Sequence, residues 1–255
     1  MSRDLTPVKS GFMSLDSITK GFFPGELTVV ASRSGEGKTA FIENIMDRIQ
    51  TKDKSKILFF SAEGKKDYQD MRLASMHGKI PLEKLKTGIL PSDSIKSLGS
   101  YAAEYGNSFI TIDDTPFIKI DELCEKASRL CENGDFKIIF VDYLGVIGNS
   151  DESKPVYERV HEAADKLKKL SRELEIPVVV TCELSKGMPE QEADMSLLRG
   201  SGAIEDIADV VILLDTEKRD EEERIVSVNV AKNRNGKTGK NSLRFIPKFC
   251  LFEGL

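Results

Sequence analysis

The segment "ASRSGEGKTA", residues 31–40, ends in Gly-Lys-Thr, and its residue types suit phosphate chemistry. In the pattern G-x-x-x-x-G-K-[ST], a Gly-rich loop between a strand and a helix turns backbone N–H groups toward an anion. Its Lys reaches the β- and γ-phosphates and its hydroxyl ligates Mg²⁺. Here the backbone of Ser34, Gly35, Glu36, Gly37, Lys38, Thr39 and Ala40 would form the cradle, with Lys38 as the cation and Thr39 as the metal ligand. Gly35 and Gly37 fall where a Cβ would strain a left-handed backbone or block the phosphates. Ser32 stands where the pattern opens with Gly, at a strand's end where a small residue suffices.

Two carboxylates extend this reading. Asp142 closes the apolar run of "KIIFVDYLG" about 100 residues after the loop, the arrangement that places an acid beside the phosphate loop to hold a Mg²⁺ shell. Glu63, in "FFSAEGK", ends the strand that follows the loop helix. In an open parallel sheet the ligand crevice lies outside the carboxyl ends of the strands, so Glu63 can orient and deprotonate an attacking water. It can equally be a solvated acid at a strand-to-helix turn, and position alone does not separate the two. The four cysteines form no C-x-x-C pair and the chain has only two histidines, so no zinc site is expected.

The elements that must hold these residues alternate. Apolar β-rich runs at 26–32, 56–63, 108–113, 137–147, 176–184 and 208–215 are separated by helical segments near 38–50, 65–77, 94–105, 119–133 and 156–175. This alternation predicts a mostly parallel sheet flanked by helices. In the last helix Val160, Ala163, Ala164, Leu167, Leu170 and Leu174 share one face. "RIVSVNVAK", the turn "NRNGKTGK" and "NSLRFIPKF" predict an antiparallel hairpin closing one sheet edge, and the charged "DTEKRDEEER" before it reads as a solvated loop.

A chain of 255 residues, 40% hydrophobic, predicts a single α/β domain over 1–255. With 37 Lys and Arg against 42 Asp and Glu the net charge is -5, so no overall basic field attracts nucleic acid and any DNA contact must be local. No apolar run reaches the roughly 20 residues of a membrane span, and the first residues lack a signal-peptide core; a cytoplasmic protein that binds no membrane is expected.

From about residue 9 onward the chain resembles the RecA-like motor domain of DnaB-type replicative helicases. The stretches that carry the resemblance include "SGFMSLDSITKGFFPGEL", "ASRSGEGKTAF", "ILFFSAE", "ITIDDTP", "FVDYLGVI", "GSGAIEDIADVVILL" and "AKNRNGKTGKNSLRF". The resemblance implies a RecA-like P-loop NTPase that uses ATP and Mg²⁺ in a homo-oligomeric, hexameric ring, moves on single-stranded DNA and unwinds duplex during replication. It implies Glu63 as the catalytic glutamate, Asp142 as the Mg²⁺-associated aspartate, directly or through water, and Lys232 and Arg234 as groups that reach the γ-phosphate held by a neighbouring subunit. The simplest alternative for "KNRNGKTGK" is a solvated basic turn. Glu183 falls where the family carries a Gln that senses the γ-phosphate, and Lys186 and Arg199 flank an acidic "GMPEQEADMSLLRG" where the family places basic DNA-contacting loops. Those two departures keep open a KaiC-like or RadA-like ATPase that uses nucleotide as an assembly or signalling switch. Full-length members also carry an N-terminal helical domain that binds primase; this chain begins almost at the motor, so a primase or loader would act through a domain expected to be absent here.

Overall fold

The computed structural model describes residues 6–105, 109–146, 154–185, 192–198, 201–220 and 222–255. Strands β1 (Leu27–Ser32), β2 (Lys56–Ser61), β3 (Ile110–Asp113), β4 (Phe136–Asp142), β5 (Val178–Glu183) and β6 (Val210–Arg219) are parallel, in the order β3-β2-β4-β5-β1-β6. Strands β7 (Arg224–Asn233), β8 (Gly239–Ile246) and β9 (Leu251–Gly254) continue the same sheet antiparallel from β6. The helices are α1 (Met13–Thr19), α2 (Lys38–Lys52), α3 (Lys66–Gly78), α4 (Leu82–Thr87), α5 (Ser92–Tyr105), α6 (Ile120–Asn133), α7 (Val156–Leu174) and α8 (Ser201–Ile207). This is the mostly parallel, helix-flanked sheet with a C-terminal antiparallel hairpin that the alternation predicts.

The inner strands are buried on both faces, which is why they read as continuous apolar runs rather than alternating ones. Their side chains still divide by strand parity. Val30, Ile57, Phe59, Ile138, Phe140 and Ile212 face the layer of α2 and α3. Val29, Leu58, Phe60, Ile139, Val141 and Val211 face α6, α7 and α8. The apolar stripe of α7 meets the second layer as expected, with Leu174 partly buried at its end. Helix α2 is enclosed more fully, because β9 and the turn before it also pack against it. Asn44 Nδ2 donates to the Cys250 carbonyl at 2.8 Å and Asn44 Oδ1 accepts from the Phe252 N–H at 2.9 Å.

Several elements differ from the expectation. The 137–147 run leaves the sheet at Asp142 and turns through a 3₁₀ segment at Leu144–Val146. β8 stops before Pro247, which has no N–H for the ladder, and a 3₁₀ turn delivers the chain to β9. "DTEKRDEEER" is not a solvated loop: β6 continues to Arg219 and β7 begins at Arg224, so most of it is paired strand projecting past Leu214, the partner of β1's last residue. Its charges pair with the phosphate loop, a long-range stabilisation that local β-propensity does not register. No helix among the described residues is long and apolar enough to cross a membrane.

Candidate active site

β1 delivers the loop from a fully buried strand. Ser32 is itself buried and donates its hydroxyl to the Arg33 carbonyl at 2.8 Å, so the place where the pattern has Gly is a packed position suited to a small side chain. Gly35 and Gly37 have φ of 77° and 95°, the left-handed region where a side chain costs roughly 1–2 kcal/mol. At Gly37 a Cβ would also press to 3.3 Å from the Phe245 ring. α2 starts at Lys38 with no side-chain cap at Gly37, leaving the first-turn N–H groups to face an anion at the positive end of the helix dipole. Lys38 Nζ donates to the Arg33 carbonyl at 3.5 Å.

β4 runs two strands away from β1 and brings Asp142 to the first turn of α2. Thr39 Oγ1 donates to Asp142 Oδ2 at 2.7 Å, and the Thr181 hydroxyl, from β5 between them, donates to Oδ1. A hydroxyl and a carboxylate in contact at a helix N-terminus are hard oxygen donors, the set that suits Mg²⁺ held by one or two protein groups and otherwise by water and phosphate.

A cleft of about 550 Å³ opens over this loop at the carboxyl ends of the strands, and Glu63, Arg72, Glu183 and Arg224 line it together with the loop, Thr39 and Asp142. Glu63 enters from the turn after β2. Desolvation by the cleft walls, then the charge of Asp142, push its carboxyl above its ordinary value; Lys38 pulls it back and Glu183 adds a smaller push. That direction strengthens Glu63 as a proton acceptor. Glu183 is the last residue of β5, opposite Ser32, so an acid does border the phosphate site.

Four residues that the motifs did not single out complete the surroundings. Arg72, on α3, gives its Nε to Glu43 at 2.7 Å while its side chain lines the cleft. Glu43 is fully buried one turn below Thr39, and burial pushes its carboxyl up to about 7 against the pull of Arg72. Arg224 donates to the Gly35 carbonyl at 2.9 Å from β7. Gln69, buried on α3, lines a side chamber that also contains Glu63 and Asp142.

Glu36 sits in the loop between Gly35 and Gly37, and its side chain has partners outside the cleft. Its N–H donates to the Arg33 carbonyl at 3.3 Å, and its carboxylate turns away to accept from the Thr216 hydroxyl and, at 2.7 Å, from Arg219. The reason is electrostatic: the projecting arm of β6 offers a cation and a hydroxyl, while an acid in the cleft would face phosphates. Arg33 pairs with Asp215 of the same arm at 2.9 Å, so the loop is pinned from outside by the hairpin.

Lys232 and Arg234 lie far from this cleft. Lys232 pairs across from Val211 near the start of β6, and the Arg234 N–H donates to the Asp209 carbonyl at 2.8 Å. The loop leaves β1 opposite Leu214, about 10 Å along the strand direction from Val211 and about 17 Å from Asp209. The Lys232 ammonium donates to the Glu205 carbonyl and Arg234 Nη2 donates to the Asp206 carbonyl at 2.7 Å. Burial, then the neighbouring Arg234, lower the Lys232 pKa, while Asp209, Glu205 and Asp206 act in the opposite sense. Lys186 and Arg199 lie outside the described residues; of the acidic segment between them, residues 192–198 are described, with the Ala193 N–H donating to Asp215 at 2.8 Å.

A phosphate loop on the first strand of such a sheet, with its acidic partner on β4 and an antiparallel extension past β6, defines a RecA-like P-loop domain. A separately solved ATPase domain superposes with a TM-score of 0.90 at 28% identity, covering 100% of this chain and 93% of that one. A DnaB-like replicative helicase solved for its interactions with primase also gives 0.90 at 28% identity, covering 99% of this chain and 63% of that one. A KaiC-like protein from Pyrococcus horikoshii shares the fold at 0.68 and 20% identity. The chain belongs to the DnaB-like helicase C terminal domain family, whose model matches residues 7–254. It is 36% identical to the replicative DNA helicase DnaC of Bacillus subtilis over 99% of its length, and 36% identical to the replicative DNA helicase DnaB of Geobacillus stearothermophilus over the same share. It spans 57% of the length of each of those relatives.

Proposed function

We propose that this chain is a single ATP-hydrolysing motor domain of a cytoplasmic replicative DNA helicase that works in a ring of identical copies, with a hexamer as the assembly. The observation that carries the reading is the division of charged groups over the sheet. The phosphate loop, Asp142 and Glu63 share one cleft, and Lys232 and Arg234 sit toward the opposite ends of the strands, away from the cleft of their own chain, which supports their serving the cleft of a neighbouring copy. Ser34 to Ala40 hold the β- and γ-phosphates through backbone N–H groups, with Lys38 as the cation. Thr39 and Asp142 are the oxygen donors that would hold Mg²⁺, which when bound offsets charge on the β- and γ-oxygens. Glu63 orients the water attacking the γ-phosphorus and accepts its proton. Lys232 and Arg234 of a neighbouring copy stabilise the charge that develops on the transferred group, a contribution of about 10³–10⁵ in rate in related chemistry.

The DNA contact would come from the segment holding Lys186 and Arg199. The test is ATP turnover with and without single-stranded DNA, alongside mass measurement in nucleotide. DNA-stimulated hydrolysis in a ring supports the helicase reading, and hydrolysis indifferent to DNA in a ring-forming sample overturns it. Glu183 at the cleft edge favours the second reading, an ATPase whose nucleotide state drives assembly or signalling with weak DNA coupling; that reading predicts assembly changes with nucleotide and no DNA stimulation.

A further inference from the structure

Among the described residues, the Glu63 carboxylate makes no hydrogen bond or ion pair of its own, so its position is set by the turn that carries it. That turn is closed by a relay of buried polar groups. Ser61, the last residue of β2, donates its hydroxyl to the Gly64 carbonyl at 2.7 Å, spanning Glu63. The same hydroxyl accepts from Gln69 Nε2 at 2.8 Å, and Ser61 and Gln69 are only 1% and 2% exposed. Contact is close: a Cβ on Gly64 would come within 2.3 Å of Gln69 Nε2. On the other side the Ala62 N–H donates to the Asp142 carbonyl at 2.8 Å, so the turn is fixed to the strand that bears the metal-side acid.

Gln69 is poorly explained as packing. Its Oε1 is buried without a hydrogen-bond partner among the described residues, and a desolvated acceptor left unpaired is a net loss of stability that an apolar side chain of similar size would avoid. Its other side faces the chamber of about 490 Å³ shared with Thr39, Glu63 and Asp142. We infer that Gln69 is a positioning residue for hydrolysis: through Ser61 and the Gly64 carbonyl it holds Glu63 at the angle from which the carboxylate reaches the attacking water.

This rests on Glu63 being the water-orienting group, and the experiment separates the two claims. Gln69→Leu, Ser61→Ala and the double variant are compared with wild type and Glu63→Gln for kcat, KM for ATP, ADP affinity and thermal midpoint. A displacement of the order of 1 Å at a reacting group costs up to roughly 100-fold, so each single variant is expected to lose about 10–100-fold in kcat. KM and ADP affinity are expected to stay within about two-fold of wild type. Because both residues act through one relay, the double variant should lose no more than the worse single one. The nearly isosteric Gln69→Glu adds a readout that packing would not move: it can donate to Ser61 only when protonated, so its turnover should recover toward acid pH relative to wild type, and it decides the matter if the leucine variant does not fold. Unchanged kcat, additive losses in the double variant, or parallel losses of ADP affinity and thermal midpoint would overturn the inference while leaving Glu63 in place. Wild-type turnover in Glu63→Gln would instead remove the reading on which it rests.

Discussion

At the carboxyl ends of the parallel strands, Glu63, Asp142 and Glu183 gather around Lys38 in one cleft, and desolvation, then the charge of Asp142, raise the Glu63 carboxyl. At the amino ends, Lys232 and Arg234 rest on the Glu205 and Asp206 carbonyls. The buried acid beside them, Asp209, is already committed to Lys168 at 2.6 Å and to the Leu27 N–H at 2.8 Å. Arg234 approaches Asp209 only to 3.8 Å and keeps its side chain 48% exposed. The cleft is thus rich in acids for a site proposed to hold a polyanion, while the guanidinium and ammonium at the far end share an acid that is held mainly by others. On the proposed reading, the chain is one half of two sites rather than the whole of one.

The largest effects should come from removing either half. Arg234→Ala is expected to lower turnover by about 10³-fold or more while nucleotide affinity is kept, whereas Lys38→Ala should abolish both. Mixing the two variants should restore turnover above either alone, since a mixed ring pairs an intact cleft with an intact basic end. No restoration, or loss of nucleotide binding in Arg234→Ala, would undo that division of labour. Next, Glu63→Gln should lose about 10²–10⁴-fold in turnover with nucleotide binding retained, as removal of a proton acceptor does. The wild-type rate should fall toward acid pH at a point above the ordinary 4.5 of a Glu, because the base must be ionised and its carboxyl is raised. Glu183→Gln removes one cause of that rise, so the acid limb should move to lower pH.

How far these groups are legible in the sequence follows from the range of their contacts. Gly35, Gly37, Lys38 and Thr39 are local, and Asp142 and Glu63 sit at the ends of strands that announce themselves by unbroken apolar runs. Arg224 cannot be read in the same way, since it reaches Gly35 across 189 residues from a segment whose charges suggest solvent. The motif puts Glu36 in the cradle, and only the paired arm of β6 explains why its carboxylate turns outward. Short elements such as α1, α4 and β9 carry too few residues for a periodicity to register. Gln69 and Glu43 are polar residues on α3 and α2, and nothing in their spacing separates a buried partner from a solvated face.

Glu43 gives a medium-sized effect on stability. Its carboxyl is raised from 4.5 to about 7, so between those values the folded protein keeps a proton that the unfolded chain has released. Its contribution therefore lowers stability as pH rises through that window, and the penalty is complete above it. In Glu43→Gln the fall in thermal midpoint across that range should be flatter than in wild type, even though the midpoint itself drops because Arg72 loses its ion-pair partner. An unchanged slope would show that Glu43 ionises normally beneath the cleft.

The smallest effect should come from the staple between the phosphate loop and the hairpin. Arg219 is 54% exposed where it meets Glu36, and exposed ion pairs contribute about 0–1 kcal/mol. Arg219→Ala leaves three other links in place: the Thr216 hydroxyl to Glu36, Arg33 to Asp215, and Arg224 to the Gly35 carbonyl. Unfolding free energy should therefore change by less than about 1 kcal/mol, with nucleotide affinity unmoved. Arg224→Ala differs, because that guanidinium both holds the loop backbone and lines the cleft, so it should weaken nucleotide binding where Arg219→Ala does not. If Arg219→Ala weakened binding as much as Arg224→Ala, the loop would be held by the sum of the hairpin's charges rather than by the Arg224 contact to its backbone.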